Sequence, residues 1–221
     1  MTVRLHTAHG WLLQKVPLAN DDMLLTFLTS EQGKIKVFGT KLQNSKKKAA
    51  ELDYFRWLEL ELAQPKNSLK LKQVKTLTDF SPSIKSYERI QFGFEALGHT
   101  ATFCPEEKEV PEVVQLLHEV WTLQSIPLQV IEIYFYTKLM WHSGVLPRFD
   151  SVRSDIWIHP VTLIFTLEKQ TGALLLSNQQ RQILEWFRRV SATELLDKYE
   201  QFEEHDLVIL QAFLITVIKN H

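Results

Sequence analysis

One cysteine, Cys104, stands in 221 residues. That excludes a disulfide framework and any zinc site built on cysteine pairs, and it fits a reducing compartment. Glycine is also scarce. The seven glycines at 10, 33, 39, 93, 98, 144 and 172 never cluster, so there is neither a Walker A loop nor a dinucleotide fingerprint, both of which need glycines to bring backbone N–H groups onto phosphate. The eight histidines form no His-x-x-x-His or His-Glu-x-x-His pair. No hydrophobic run is long enough for a bilayer: the most apolar stretch, Ile126–Trp141, is interrupted by Gln129, Glu132 and Lys138 and falls short of about 20 residues, so it reads as a buried helix. Residues 1–10 lack an apolar segment of the signal-peptide kind. A cytoplasmic protein is expected.

Net charge is nearly absent as well, at −1, but it is unevenly distributed. Residues 1–80 hold 13 Lys+Arg and 8 Asp+Glu, a surplus of five positive charges; the remainder holds 12 and 18, a deficit of six. This predicts a basic module that meets an anion and an acidic module with another task.

The period of the hydrophobic pattern changes at the same place. Residues 1–80 read as five short strands: 10–16, 23–29, 35–41, one around Leu58, Leu60 and Leu62, and one around Leu69 and Leu71. On the third, Ile35 and Val37 share one face while Lys34, Lys36 and Phe38 share the other. Turn signals every 8–15 residues predict a small closed or partly open barrel. Beyond residue 80 the spacing becomes helical, at Ile84, Tyr87, Phe94 and Leu97 and again at Val113, Leu116, Leu117 and Val120. Pro111 and Pro127 sit in first turns, and capping boxes at Ser177–Gln180 and Ser191–Glu194 open two later helices. A last helix is expected over about 204–219. Residues 161–168 and 173–176 flank Gly172 as a β-hairpin. The fold class is therefore α+β, with a domain boundary near Ser81–Pro82: a barrel domain over 1–80, and a mainly helical domain with a hairpin at about 161–176 over 81–221.

No constellation for catalysis is legible. Cys104 reads as a small buried residue rather than a nucleophile, because a reactive thiolate needs an electropositive niche. Glu106, Glu107, Lys108 and Glu109 read as a solvated charge run ahead of a helix. What remains is the basic barrel. Lys34, Lys36 and Lys41 lie on or beside one strand, Lys46, Lys47 and Lys48 in the following loop, and Lys70, Lys72 and Lys75 on another strand, with Phe38, Tyr54 and Trp57 among them. Small barrels bind single strands with such basic grooves and exposed rings. A lysine run is equally the mark of a solvated loop, and Trp57 or Tyr54 could instead pack against the helices.

The stretch Gly10–Ile35, with its acidic turn at Asp21–Asp22 and its Gly33-Lys34-Ile35 close, resembles the opening of the bacterial recombination mediator family RecO. Gly39-Thr40-Lys41 and Ser45-Lys46 are similar to that family's glycine-basic segment. Leu52–Leu62 is similar to its fourth strand, with Tyr54 where a proline is usual, and Leu139–Asp150 to its helix end and Gly-x-x-Pro segment. The resemblance implies an OB-fold barrel and a non-enzymatic role in DNA repair by recombination: binding single-stranded and double-stranded DNA, annealing strands, and loading recombinase onto DNA coated with single-stranded-DNA-binding protein. The implied partners are DNA, RecR and the acidic C-terminal tail of the coating protein; no cofactor and no membrane are implied, and the nucleoid is the expected location.

The resemblance carries Lys34, Lys36, Lys41 and Lys46 as DNA contacts. Charge and facing add Lys47, Lys48, Lys70, Lys72, Phe38 and Trp57. For an acidic tail the candidates are Arg181, Arg188 and Arg189, which read equally well as a solvated helix face. Many family members hold zinc with two cysteine pairs. Here Val152 and Asp155 stand in the first pair's places and Leu176 near the second, so no metal is expected and apolar packing through Leu163, Phe165, Leu174 and Leu176 is expected to hold the region. The competing reading is an OB-fold protein-interaction adaptor with little DNA affinity of its own.

Overall fold

A computed structural model describes residues 4–42, 50–65, 68–149 and 154–221. The chain divides into two compact units, 1–122 and 123–221.

The first unit contains five strands: β1 (Arg4–Pro17), β2 (Met23–Thr29), β3 (Gly33–Gly39), β4 (Arg56–Gln64) and β5 (Leu69–Asp79). They pair in the order β1-β2-β3-β5-β4 and close back on β1 as a barrel. All neighbours are antiparallel except β3 and β5, which run parallel and, among the described residues, pair at Val37–Leu69 and Phe38–Lys70. β1 is long because it serves two partners. Its first half pairs with β4 and its second with β2, and a register shift between Leu12 and Gln14 bends it from one to the other. The bend buries Trp11, Leu12 and Leu13 in succession, where a flat strand would alternate. At the crossover a side chain on Gly10 would lie 2.6 Å from the Leu28 carbonyl oxygen, so only glycine lets the strands approach. Inside, Leu12, Leu25, Phe27, Ile35, Val37, Leu58, Leu60 and Leu62 form one cluster. Each such side chain contributes about 1.5–3 kcal/mol by leaving water.

Helices α1 (Tyr87–Phe103) and α2 (Pro111–Thr122) belong to this same unit, so the division falls after Thr122 and not near Ser81–Pro82, where the change of periodicity lies. Trp11 supplies the reason. Its ring packs on His118 and Trp121 of α2 at centroid distances of 4.7 and 6.4 Å, and its indole N–H donates to the Val114 carbonyl at 3.4 Å. The face expected for α1 also shifts. Phe92, Gly93, Ala96, Leu97 and Thr100 are buried, whereas Tyr87 and Phe94 are exposed.

The second unit is built on α3 (Leu128–His142), which packs against α6 (Glu204–Asn220) and α4 (Asn178–Arg189). α3 is buried almost all round, from Val130 to Met140, which accounts for its apolar sequence. Among the described residues no helix is long and apolar enough to cross a membrane. Both capping boxes are formed, at Ser177 on α4 and at Ser191 on α5 (Ala192–Lys198). The expected hairpin is instead a three-stranded sheet. β7 (Phe165–Thr166) and β8 (Leu174–Leu176) each pair with β6 (Ile156–Ile158), which lies between them. Ile156 and Ile158, fully buried, supply the apolar centre on which the two outer strands assemble. Leu176 is buried opposite Ile156, while Leu163 and Leu174 are half-buried. Asp155 accepts from the Asn178 N–H at 2.9 Å. Val152 and the side chain of Phe165 lie outside what is described.

Candidate nucleic-acid interface

The barrel wall formed by β3 and the start of β5 carries four of the expected lysines, Lys34, Lys36, Lys70 and Lys72. β3 alternates strictly: Gly33, Ile35, Val37 and Gly39 point inward and are buried, while Lys34, Lys36 and Phe38 point out. On β5, Leu71 is buried between exposed Lys70 and Lys72, the latter standing at a register shift against β4. Phe38 pairs directly with Lys70 and Lys36 precedes it by two residues on the same face, so the ring shares the outer face of this wall with two lysines. Phe38, next to last in β3, is 40 % exposed. Lys41 is exposed just beyond β3 with a backbone φ of 50°, and its N–H donates to Asp22 at 2.8 Å.

Two of the expected cations are already engaged. The Lys34 ammonium donates to the Ala101 carbonyl near the end of α1 at 2.7 Å, and Leu28, directly opposite Lys34 on β2, is fully buried, so the wall is covered there. Lys36 pairs with Glu106 at 2.5 Å, and its hydrogen bond holds the Glu106 carboxyl below the usual range. Beside them runs a groove of about 1070 Å³ whose lining includes Lys34, Lys36 and Phe38 together with Glu31, Glu106, Glu107 and Glu109. The charge run after Cys104 is thus hydrogen-bonded to the barrel, not simply solvated.

Other expected positions have structural work. Trp57 is half-buried, its ring 5.3 Å from Trp11 and 4.6 Å from His118. Tyr54 packs edge-on against Phe94 at 5.1 Å, and the Lys15 ammonium sits 4.8 Å over its ring. Burial lowers the Lys15 pKa, opposed by Asp53. Lys75 pairs across to Glu59, on an outer face that also carries Glu61 and His9, so it belongs to an acidic wall. Lys46, Lys47 and Lys48 lie outside the described residues. In the second unit, Arg181 is 3 % exposed and donates to Ser154 and Asn178 oxygens at 2.6 and 2.7 Å. It is a buried anchor, which corrects its assignment to a partner surface. Arg188 lies 4.1 Å over the Trp141 ring and 2.6 Å from Glu185; Arg189 is exposed beside the same carboxylate at 3.3 Å. Sequence periodicity had no signal for Arg148, whose guanidinium stands 5.7 Å over Trp141, because it lies in the irregular segment that follows α3.

Cys104 is buried, and burial pushes its thiol up to about 11. Among the described residues no three His, Cys, Asp or Glu side chains group as metal ligands would.

The chain matches no family model. It is 27 % identical over 147 residues to the DNA repair protein RecO of a Nocardioides species and 25 % identical over 146 residues to the DNA repair protein RecO of Myxococcus xanthus. Each match covers 63 % of this chain and spans 59 % of the length of the relative. By sequence the chain is thus similar, at low identity, to DNA repair proteins named RecO.

Proposed function

We propose that the barrel is an OB-fold that binds single-stranded DNA, and that the chain acts in recombinational DNA repair by binding rather than by catalysis. The observation that carries this is the exposed Phe38 on the outer barrel face that also carries Lys36 and Lys70. A ring offers a stacking platform worth about 1–3 kcal/mol per base, while each ammonium adds salt-sensitive, sequence-independent attraction to phosphate. The strand order β1-β2-β3-β5-β4 with a parallel β3–β5 contact supports the OB-fold reading. The similarity to the two DNA repair proteins supports the cellular role. By the same resemblance the chain would also bind duplex DNA, anneal strands and help load recombinase onto coated DNA. Its partners would be RecR and the acidic tail of single-stranded-DNA-binding protein, the latter at Arg188 and Arg189. The sheet β7-β6-β8 would hold together without zinc.

The test is titration of the full chain into a labelled single-stranded oligonucleotide at two salt concentrations. Affinity should fall steeply with salt, and DNA incubated with magnesium should stay uncut. The adaptor reading is favoured by the carboxylates of the groove and the engagement of Lys34 and Lys36. Salt-independent or undetectable DNA binding, together with capture of RecR, would establish it instead. Metal analysis finding one zinc per chain would remove the metal-free reading of the sheet.

A further inference from the structure

The segment between α1 and α2 lies along the barrel at the very strand that carries the candidate site. Among the described residues β3 pairs with β5 only at Val37 and Phe38, and none of them sets a strand of the barrel along that edge of β3 from Gly33 to Lys36. Residues 105–110 cover it. The Glu107 N–H donates to the Lys34 carbonyl at 3.0 Å, Lys34 and Glu106 form a parallel bridge, and the Glu106 carboxylate meets the Lys36 ammonium at 2.5 Å. Gly33, at φ 66°, has the segment pressed against it: a Cβ there would lie 1.9 Å from the Lys108 oxygen. The segment brings Glu106, Glu107 and Glu109 against a single Lys108. A carboxylate offers the same kind of anionic oxygen to an ammonium as a backbone phosphate does.

We infer that residues 105–110 are an acidic strap that occupies the Lys34–Lys36 edge of β3 in place of a nucleic-acid backbone and is displaced when a single strand binds. The inference rests on the DNA-binding reading above. The strap is tethered at both ends, by the Cys104 N–H on the Thr100 carbonyl at 3.0 Å and by Pro111 at the start of α2. It therefore stays at high local concentration and competes without leaving the molecule. Its ion pair is half-exposed, and exposed pairs are weak, so several phosphates acting together can replace it.

The full chain and two charge-matched variants decide the matter by fluorescence anisotropy with labelled oligothymidylate. Glu106→Gln with Glu107→Gln removes two strap charges; Glu88→Gln with Glu95→Gln removes two from the exposed side of α1. The strap variant should bind about 3–10-fold tighter than the unaltered chain at low salt, and the control less than about twofold tighter. Hydrogen exchange supplies a second readout: the Glu107 amide should exchange faster once oligonucleotide is added. Equal gains in both variants, or an amide that slows, overturn the strap while leaving the DNA-binding reading intact. Failure of all three proteins to bind overturns that reading and the strap with it.

Discussion

Phe38 and Lys70 stand directly opposite each other in the parallel contact through which β3 and β5 close the barrel. The phenyl group lies on the outer face of β3, 40 % exposed, in register with a cation. Phe38→Ala should weaken single-strand binding by about 1–3 kcal/mol, the worth of one stacked base, with the fold unchanged by circular dichroism. Lys70→Gln and Lys72→Gln should each lower the slope of log affinity against log salt by about 0.7. Unchanged slopes would take β5 out of the interface.

Trp57 is expected to behave differently. Its ring packs on Trp11 and His118, so Trp57→Ala should cost about 2–3 kcal/mol of stability in urea melts and change DNA affinity less than about twofold. Lost affinity with full stability would restore Trp57 as a base contact.

His118 ties the same cluster to pH. Burial lowers its pKa below the ordinary 6.5, with Glu119 opposing. The unfolded chain therefore takes up a proton near pH 6.5 that the folded ring refuses until lower pH, and stability should fall as pH drops from 7 through that window. His118→Gln should flatten this part of the profile in denaturant melts at pH 7, 6 and 5, even if it lowers stability throughout.

Cys104, with its thiol pushed up to about 11, should react with a disulfide reagent at pH 8 far more slowly in the native chain than in guanidinium, because little thiolate forms and access is closed. Its raised pKa also makes stability decline as pH rises from about 9 toward 11, the range in which only the unfolded thiol ionises. A native rate equal to the denatured rate would contradict the burial.

Arg181→Ala should destabilise the second unit by about 2 kcal/mol or more, since it removes charge-assisted hydrogen bonds to Ser154 and Asn178 from a buried position. Arg189→Ala should leave the melt within about 0.5 kcal/mol. If the acidic tail of single-stranded-DNA-binding protein docks near Arg189, calorimetry should show that this variant alone loses the peptide.

Local signals carried much of the architecture. Alternation assigned the inward and outward faces of β3 because the period of a strand is two and its neighbours in sequence sit on opposite faces. The Ser177 and Ser191 capping boxes were legible because both partners lie within three residues. β6 was not, since a three-residue strand has too few positions to show a period and is defined by β7 and β8 on either side of it.

The candidate site divides along the same line. By itself the sequence determined that Lys36, Phe38, Lys70 and Lys72 point outward. It could not determine that β3 and β5 would meet in parallel and place Phe38 against Lys70, nor that Trp57 would be claimed by Trp11 and Arg181 by Ser154. Nor could it show that Glu106, seventy residues from Lys36, would neutralise that lysine. Only the tertiary structure decided these points, because pairing across a barrel seam depends on which strands close it, and a charge acts over a few ångströms of space whatever the distance along the chain.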